Sequence, residues 1–318
     1  MPKESDLRLV EMPVAALRDG EVLLRALYLS VDPYMRGRMN AAKSYAPCVE
    51  IGELMVGGGV ARVIESKNPG YAVGDVVILQ MGWQEYAVSN GEGLRKIDPQ
   101  LAPVSTALGV LGMPGLTAYF GLLEVCGVNA GETVVVSAAA GAVGSVVGQI
   151  AKIKGCRAVG IAGGPAKTRY VIEECGFDAA LDYKSTNDYA AAIKELCPKG
   201  VDVYFDNVGG PITDAALGNL NARARIAICG QISQANDTQP STGPRMWRQL
   251  LVARAKVQGF LVFDYAARYG SALEQLAQWV RSGQIKYHED VVEGFENMPR
   301  ALIGLFRGEN LGKRLVKV

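Results

Sequence analysis

Apolar and polar positions change rhythm twice along this chain. Up to about residue 105 the apolar residues come in short runs broken by glycine and proline, as in EVLLRALYLSVD, VGGGVARVIES and GDVVIL. Such runs predict short strands, and KNPGYAVG between the last two predicts a loop. Helical spacing is nearly absent there, which predicts a small, twisted, mostly antiparallel β unit. From about residue 105 helical and strand patterns alternate. LGVLGMPGLTAYFGLLEVCGV reads as a helix. Val134–Ala138 reads as a strand and Ala142–Lys154 as a helix with Val143, Val146, Val147, Ile150 and Ala151 on one face. Ala158–Ala162, DAALDY, VDVYFDNVGG, ARIAICG and VQGFLVF read as further strands; Lys167–Cys175, NDYAAAIKELC and Ala267–Ser282 read as helices. Alternation of this kind predicts parallel strands with helical crossovers. The final stretch returns to the first rhythm, with strands in KYHEDVVEGF and GKRLVKV around a helix in MPRALIGLFRG. The predicted class is α/β. A doubly wound parallel sheet, residues 107–284, is inserted between two parts, 1–106 and 285–318, of a mostly antiparallel β domain. The polar segment SQANDTQPSTGPRMW, with Pro240 and Pro244, predicts a loop over a cleft.

Length and charge narrow the function. The 318 residues suit two domains, and 33 Lys plus Arg against 32 Asp plus Glu give a net charge of +1. No basic stripe is present, so a nucleic-acid partner is not expected. Cys48, Cys126, Cys156, Cys175, Cys197 and Cys229 show no Cys-x-x-Cys spacing and read as reduced thiols rather than as a disulfide framework or zinc knuckle. No charged-then-apolar leader opens the sequence, and no apolar run reaches the roughly 18 residues of a membrane span. A cytoplasmic protein with no membrane partner is therefore expected. His288 is the single histidine; it reads as a polar position on a late strand, since nothing nearby needs a base.

The stretch VVVSAAAGAVGS carries the strongest chemical signal. In a dinucleotide-binding turn the first glycine allows the bend, the second lets backbone approach the pyrophosphate, and the third lets the helix pack on the strand. Gly141 and Gly144 fill the second and third roles. Ala139 fills the first, which a small residue tolerates if its φ stays negative. An NAD site wants an acid roughly 20 residues on, at the end of the second strand. Here that region is GIAGGPAKTRY, with no acid and with Lys167 and Arg169 after Gly163 and Gly164. A cation there suits a 2′-phosphate, so the expected cofactor is NADP(H).

LSVDPYMRGRM, VLGMPGLTAYFGL, AAAGAVGS, VDVYFDNVGG, VQGF and GENLGK together resemble the zinc-independent medium-chain dehydrogenase/reductases. Within them they look like the NADPH-dependent alkenal and enone double-bond reductases, the group of the prostaglandin and curcumin reductases. The resemblance runs from about Leu7 to Val318, and it implies a further strand before the start of this chain. It implies a GroES-like β domain flanking a Rossmann domain, with the active site in the cleft. It places cofactor contacts on Thr117, on Gly141, Ala142, Val143, Gly144 and Ser145, and on Gly163, Lys167 and Tyr183. Further contacts would be Asn207, then Cys229, Gly230, Gln231, Ile232 and Ser233, then Phe260, Leu261, Val262 and Asn310. Two of these also make sense from the residues alone. Tyr183 follows a strand and could flank the 2′-phosphate with Lys167, and Asn207 ends a strand where parallel-sheet ligands sit. Zinc-dependent relatives carry Gly-His-Glu near a glycine-rich strand; the corresponding GELMVGGGVARV has no such ligands, and no four-cysteine lobe is present.

The implied reaction is hydride transfer to the β-carbon of an α,β-unsaturated aldehyde or ketone, with protonation at the α-carbon. Charge develops on the carbonyl oxygen and calls for a donor. The family offers two tyrosines. Tyr34 in DPYM matches one; the other falls in a Ser-Gln-Tyr-Asn stretch, where this chain has Ser233, Gln234, Ala235 and Asn236. Enolate binding then falls to Tyr34, the cofactor ribose or water. GWQEY, Trp83 to Tyr86, is a candidate wall of the substrate cleft. Two other readings stay open: an NADPH-dependent quinone oxidoreductase, and a catalytically weak dinucleotide-binding redox sensor or structural protein. VQGFLVF, as an exposed edge strand, points to a homodimer.

Overall fold

The computed structural model describes all 318 residues. In chain order it begins with β1 (Val22–Ser30), α1 (Tyr34–Arg38), β2 (Gly58–Ser66), β3 (Val76–Gln80), β4 (Tyr86–Ser89) and β5 (Arg95–Ile97). The chain then passes into α2 (Met113–Phe120), β6 (Thr133–Ser137), α3 (Gly144–Ile153), β7 (Arg157–Ala162), α4 (Pro165–Arg169), β8 (Ala179–Asp182) and α5 (Tyr189–Leu196). There follow β9 (Val201–Asp206), α6 (Gly210–Leu217), β10 (Leu220–Ile228), α7 (Trp247–Ala253), β11 (Lys256–Gly259) and α8 (Tyr269–Arg281). It closes with β12 (Glu289–Glu293), α9 (Met298–Phe306) and β13 (Lys313–Lys317). Two units result, one of Met1–Gly109 with Glu289–Val318 and one of Val110–His288.

These divisions fall at 109 rather than 106 and at 288 rather than 284, for reasons of packing. Ala107 and Leu108 bury themselves against Val60, Val76 and Leu315 and so stay with the β unit. Residues 285–288 stay with the parallel unit. Ile285 is buried, and the Gln149 amide exchanges two hydrogen bonds with the Lys286 backbone, at 2.9 and 2.7 Å.

In the first unit the strand order is β12-β13-β1-β2-β3-β5, with β4 also pairing β1. Every pairing is antiparallel except β12 with β13. The alternation in β1 turns Val22, Leu24 and Ala26 inward, and two register shifts against β2 bend the strand. Its core takes in Met35, Met55, Trp83, Leu302 and Val316. Trp83 is therefore a core residue rather than a wall of a cleft, while Tyr86 stands exposed on β4. A buried ion pair ties the exit of β1 to β13. Lys313 Nζ lies 2.6 Å from Asp32 Oδ1 and donates to the Val31 carbonyl at 3.1 Å, and the Ser30 hydroxyl donates to Asp32.

In the second unit six parallel strands run β11-β10-β9-β6-β7-β8. Val134–Val136 and Val203–Phe205 are fully buried, as strands covered on both faces must be. From β6 the chain winds outward through β7 and β8, then returns to β9 and winds the other way. The switch point lies between β6 and β9, where open α/β sheets open a crevice for ligands at their carboxyl ends.

Strand β11 ends at Gly259, so it takes in only the first three residues of VQGFLVF. Aromatic packing takes the rest off the sheet. Phe260 meets Phe205 edge-on at 6.1 Å, Tyr265 stacks on Phe120 at 4.7 Å, and Arg268 lies 5.3 Å over both of those stacked rings. His288 precedes β12 instead of lying on it, exposed and edge-on to Tyr170 at 6.0 Å.

Candidate functional site

The carboxyl ends of the six parallel strands gather most of the residues singled out from sequence. Gly141–Ser145 follow β6, Gly163 and Lys167 follow β7, and Tyr183 follows β8. Asn207 follows β9, Cys229–Ser233 follow β10, and Phe260–Val262 follow β11. Thr117 lies inside α2, its hydroxyl donating to the Met113 carbonyl at 2.7 Å. Tyr34 and Asn310 belong to the first unit.

The turn after β6 bends at an unexpected residue. Ala138 takes the left-handed conformation, φ 49°, while Ala139 keeps a negative φ. The buried Ala139 methyl points toward Gly160 of β7, where a side chain would crowd it at 2.8 Å. Gly144 is the tight position: a Cβ there would sit 2.3 Å from the Ala138 carbonyl oxygen. At Gly141 the nearest atom to a Cβ would be that same oxygen, at 3.1 Å. The N–H groups of Ala142, Val143 and Gly144 have no acceptor within the protein. Open amides on a close-packed backbone at the start of a ten-residue helix make an anion cradle, so these residues fit a pyrophosphate.

At the β7 exit, Gly163 leaves room for the Tyr183 ring, whose nearest atom would lie 2.7 Å from a Cβ at that position. Burial, then the neighbouring Tyr189 and Asp182, push the Tyr183 hydroxyl up, so it remains a donor at neutral pH. Lys167 is half-buried in α4. An acid does stand at this corner, supplied by the next strand: Asp182 accepts from the Gly164 and Lys184 amides at 2.7 and 3.0 Å. Reading β7 alone misses it, because only strand pairing brings β8 alongside.

At the switch point Asn207 is fixed by Ser137, its amide nitrogen 2.8 Å from the Ser137 hydroxyl and its side chain 2.8 Å from the Ser137 carbonyl. Ser233 donates to the Val208 carbonyl twice, from its amide at 3.1 Å and its hydroxyl at 2.6 Å. Beneath these loops lies Asp206, fully buried and not anticipated from the sequence. Ala235 closes a short turn, Ile232–Gln234, and the irregular loop predicted after it is exposed.

In the first unit Tyr34 opens α1, half-buried against the core. Burial, then the Asp32 charge, push its hydroxyl well up, so it too is a donor. Asn310 hydrogen-bonds the Gly312 carbonyl at 3.0 Å ahead of β13. No group of three or more His, Cys, Asp or Glu side chains comes together, and all six thiols are free.

Residues 1–97 match the family model for the N-terminal domain of oxidoreductase, and residues 142–279 match that for zinc-binding dehydrogenase. Prostaglandin reductase 1 of Bos taurus is 50% identical over 321 residues, covering 99% of this chain and 95% of its own. The NADPH-dependent curcumin reductase of Escherichia coli is 47% identical over 322 residues, covering 100% of this chain and 93% of its own. Among solved structures, CurA from Vibrio vulnificus in complex with NADPH superposes with a TM-score of 0.95 at 47% identity, covering 100% of this chain and 95% of that one.

Proposed function

This chain belongs to the NADPH-dependent reductases of the medium-chain dehydrogenase/reductase family, and on that premise we propose that it reduces the carbon–carbon double bond of α,β-unsaturated aldehydes and ketones. Its cofactor is NADP(H), which when bound supplies the hydride for the β-carbon. The observation that carries the reading is the cradle of open amides at Ala142–Gly144 with Lys167 at the neighbouring strand exit. In this reading Gly141–Ser145 hold the pyrophosphate, and Lys167 with Tyr183 hold the 2′-phosphate and exclude the cofactor that lacks it. Asn207, the Cys229–Ser233 segment, Phe260–Val262, Thr117 and Asn310 complete the cofactor contacts. Tyr34, kept protonated by burial, donates to the carbonyl oxygen as enolate charge develops there. We read the reaction as zinc-independent. Free thiols fit the reducing cytoplasm, and no helix is long and apolar enough to cross a membrane. The short edge strand β11, with Val257 exposed, is the surface on which we place a homodimer contact.

The test is direct. The protein is mixed with NADPH and offered an aliphatic enal, a cyclic enone and a quinone in turn while cofactor absorbance is followed. Turnover of the enal and enone is expected. Turnover with quinone alone would replace this reading with a quinone oxidoreductase, and tight binding without turnover with a sensor or structural role.

Two variants probe the assignments. Lys167→Ala is expected to weaken NADPH by about tenfold or more, the scale of a charge-assisted hydrogen bond, and to leave NADH unchanged in calorimetry. Ala235→Tyr returns a hydroxyl to the turn after β10 and is expected to raise kcat on small enals by about tenfold. A rate unchanged or lower would remove residue 235 from the catalytic account.

A further inference from the structure

Asp206 is a buried carboxylate with no Lys, Arg or His within ion-pair distance. Neutral donors surround it. Oδ1 accepts from the Ser137 and Tyr204 hydroxyls at 3.1 Å each and from the Val208 and Gly209 amides at 3.0 Å each. Oδ2 accepts only from the Thr213 hydroxyl, at 2.7 Å. This carboxylate sits in a buried interior among neutral donors and without a counter-cation, an expensive place for an acidic side chain and one that calls for a reason. Its field reaches neighbouring groups: after burial itself, Asp206 is the next cause pushing up the Tyr204 and Cys229 side chains.

Its place in the sheet supplies the reason. Asp206 ends β9 and Ser137 ends β6, the two strands flanking the switch point. A dinucleotide spans that crevice. With Lys167 and Tyr183, beyond β7 and β8, holding the phosphorylated adenosine half, the nicotinamide half falls to the β9 and β10 side. We infer that Asp206 is an electrostatic device that favours the oxidised, cationic nicotinamide over the reduced, neutral one, and so biases the bound cofactor toward giving up hydride. This rests on the cofactor reading above. The same residue also shapes the crevice floor through its backbone, whose carbonyl oxygen accepts from the Cys229 and Gly230 amides at 2.8 and 3.1 Å, contacts that a side-chain substitution leaves in place.

The experiment separates charge from scaffold by measuring Kd for NADP⁺ and for NADPH calorimetrically on the intact protein. Asp206→Asn keeps the Oδ1 acceptor, and its new N–H group faces a Thr213 hydroxyl that can turn and accept. It is expected to raise the ratio of the NADP⁺ Kd to the NADPH Kd by about tenfold, the scale on which one buried charge acts on another. Thr213→Val removes a dipole that damps the carboxylate, keeps the charge, and should move the ratio the opposite way by about twofold to threefold. It also serves if Asp206→Asn does not fold. Equal weakening of both cofactor forms, or a ratio that neither variant moves, overturns the inference and leaves a scaffolding residue. A wild-type protein that holds neither form sinks the cofactor reading itself, and this inference with it.

Discussion

Lys313→Met is expected to destabilise the first unit by about 3–5 kcal/mol, read as a lower urea midpoint for its transition. The lysine and Asp32 side chains are 4% and 9% exposed, and the ammonium lies 2.6 Å from the carboxylate. Methionine fills the volume, so the loss is electrostatic rather than a cavity: the buried Asp32 carboxylate loses its counter-cation and keeps only the Ser30 hydroxyl bonded to it. Replacing both partners, Asp32→Asn with Lys313→Met, should recover more than half of the loss, because the amide carries no charge to strand. A single variant within about 0.5 kcal/mol of wild type would show that the pair contributes little. On the reading that Tyr34 is the donor to the substrate oxygen, the pair also bears on the chemistry. Asp32 sets the turn into α1, where the Met35 amide bonds the Asp32 carbonyl at 3.1 Å and Tyr34 is held half-buried.

Gly144→Ala should lower NADPH affinity roughly 100-fold, as the cost of overpacking a rigid site predicts. The added methyl would meet the Ala138 carbonyl oxygen at 2.3 Å and the Ala139 Cα at 3.0 Å. Both are backbone atoms and cannot rotate away, and Ala138 is already held at φ 49°. Relief therefore has to come from lifting the start of α3, which carries the three open amides with it. Gly141→Ala meets its closest neighbour only at 3.1 Å, and its loss should stay within about tenfold. Calorimetry beside a thermal melt separates lost affinity from lost fold. A Gly144→Ala protein that melts lower yet binds NADPH as wild type would remove the cradle from the cofactor site.

Much of this was legible in the residues. The alternation after residue 105 carried the parallel sheet, and the run of small residues after β6 carried the turn. What escaped depends on atoms far apart in sequence. Ala139 keeps the negative φ expected of it, its methyl set against Gly160 of the paired strand, but the left-handed residue beside it, Ala138, was not foreseen. Asp182 reaches Gly164 only because β8 runs beside β7. Asp206 is not singled out in VDVYFDNVGG: one of its donors, Ser137, comes from β6, and the others gather round it only once β9 has turned into α6. Lys313 and Asp32 are separated by most of the chain, and no local pattern pairs them. The short strands β4 and β5, of four and three residues, carry too few positions for periodicity to show.

The strand order β12-β13-β1 has a consequence for biosynthesis. On the ribosome β1 emerges early, but its partner along Tyr28–Ser30 is β13, which follows the whole of the parallel unit. The contiguous unit at 110–288 can therefore acquire structure during translation, while the flank of β1 waits as an open template for pairing with other chains. A chain halted before residue 313 would present that bare edge unpaired.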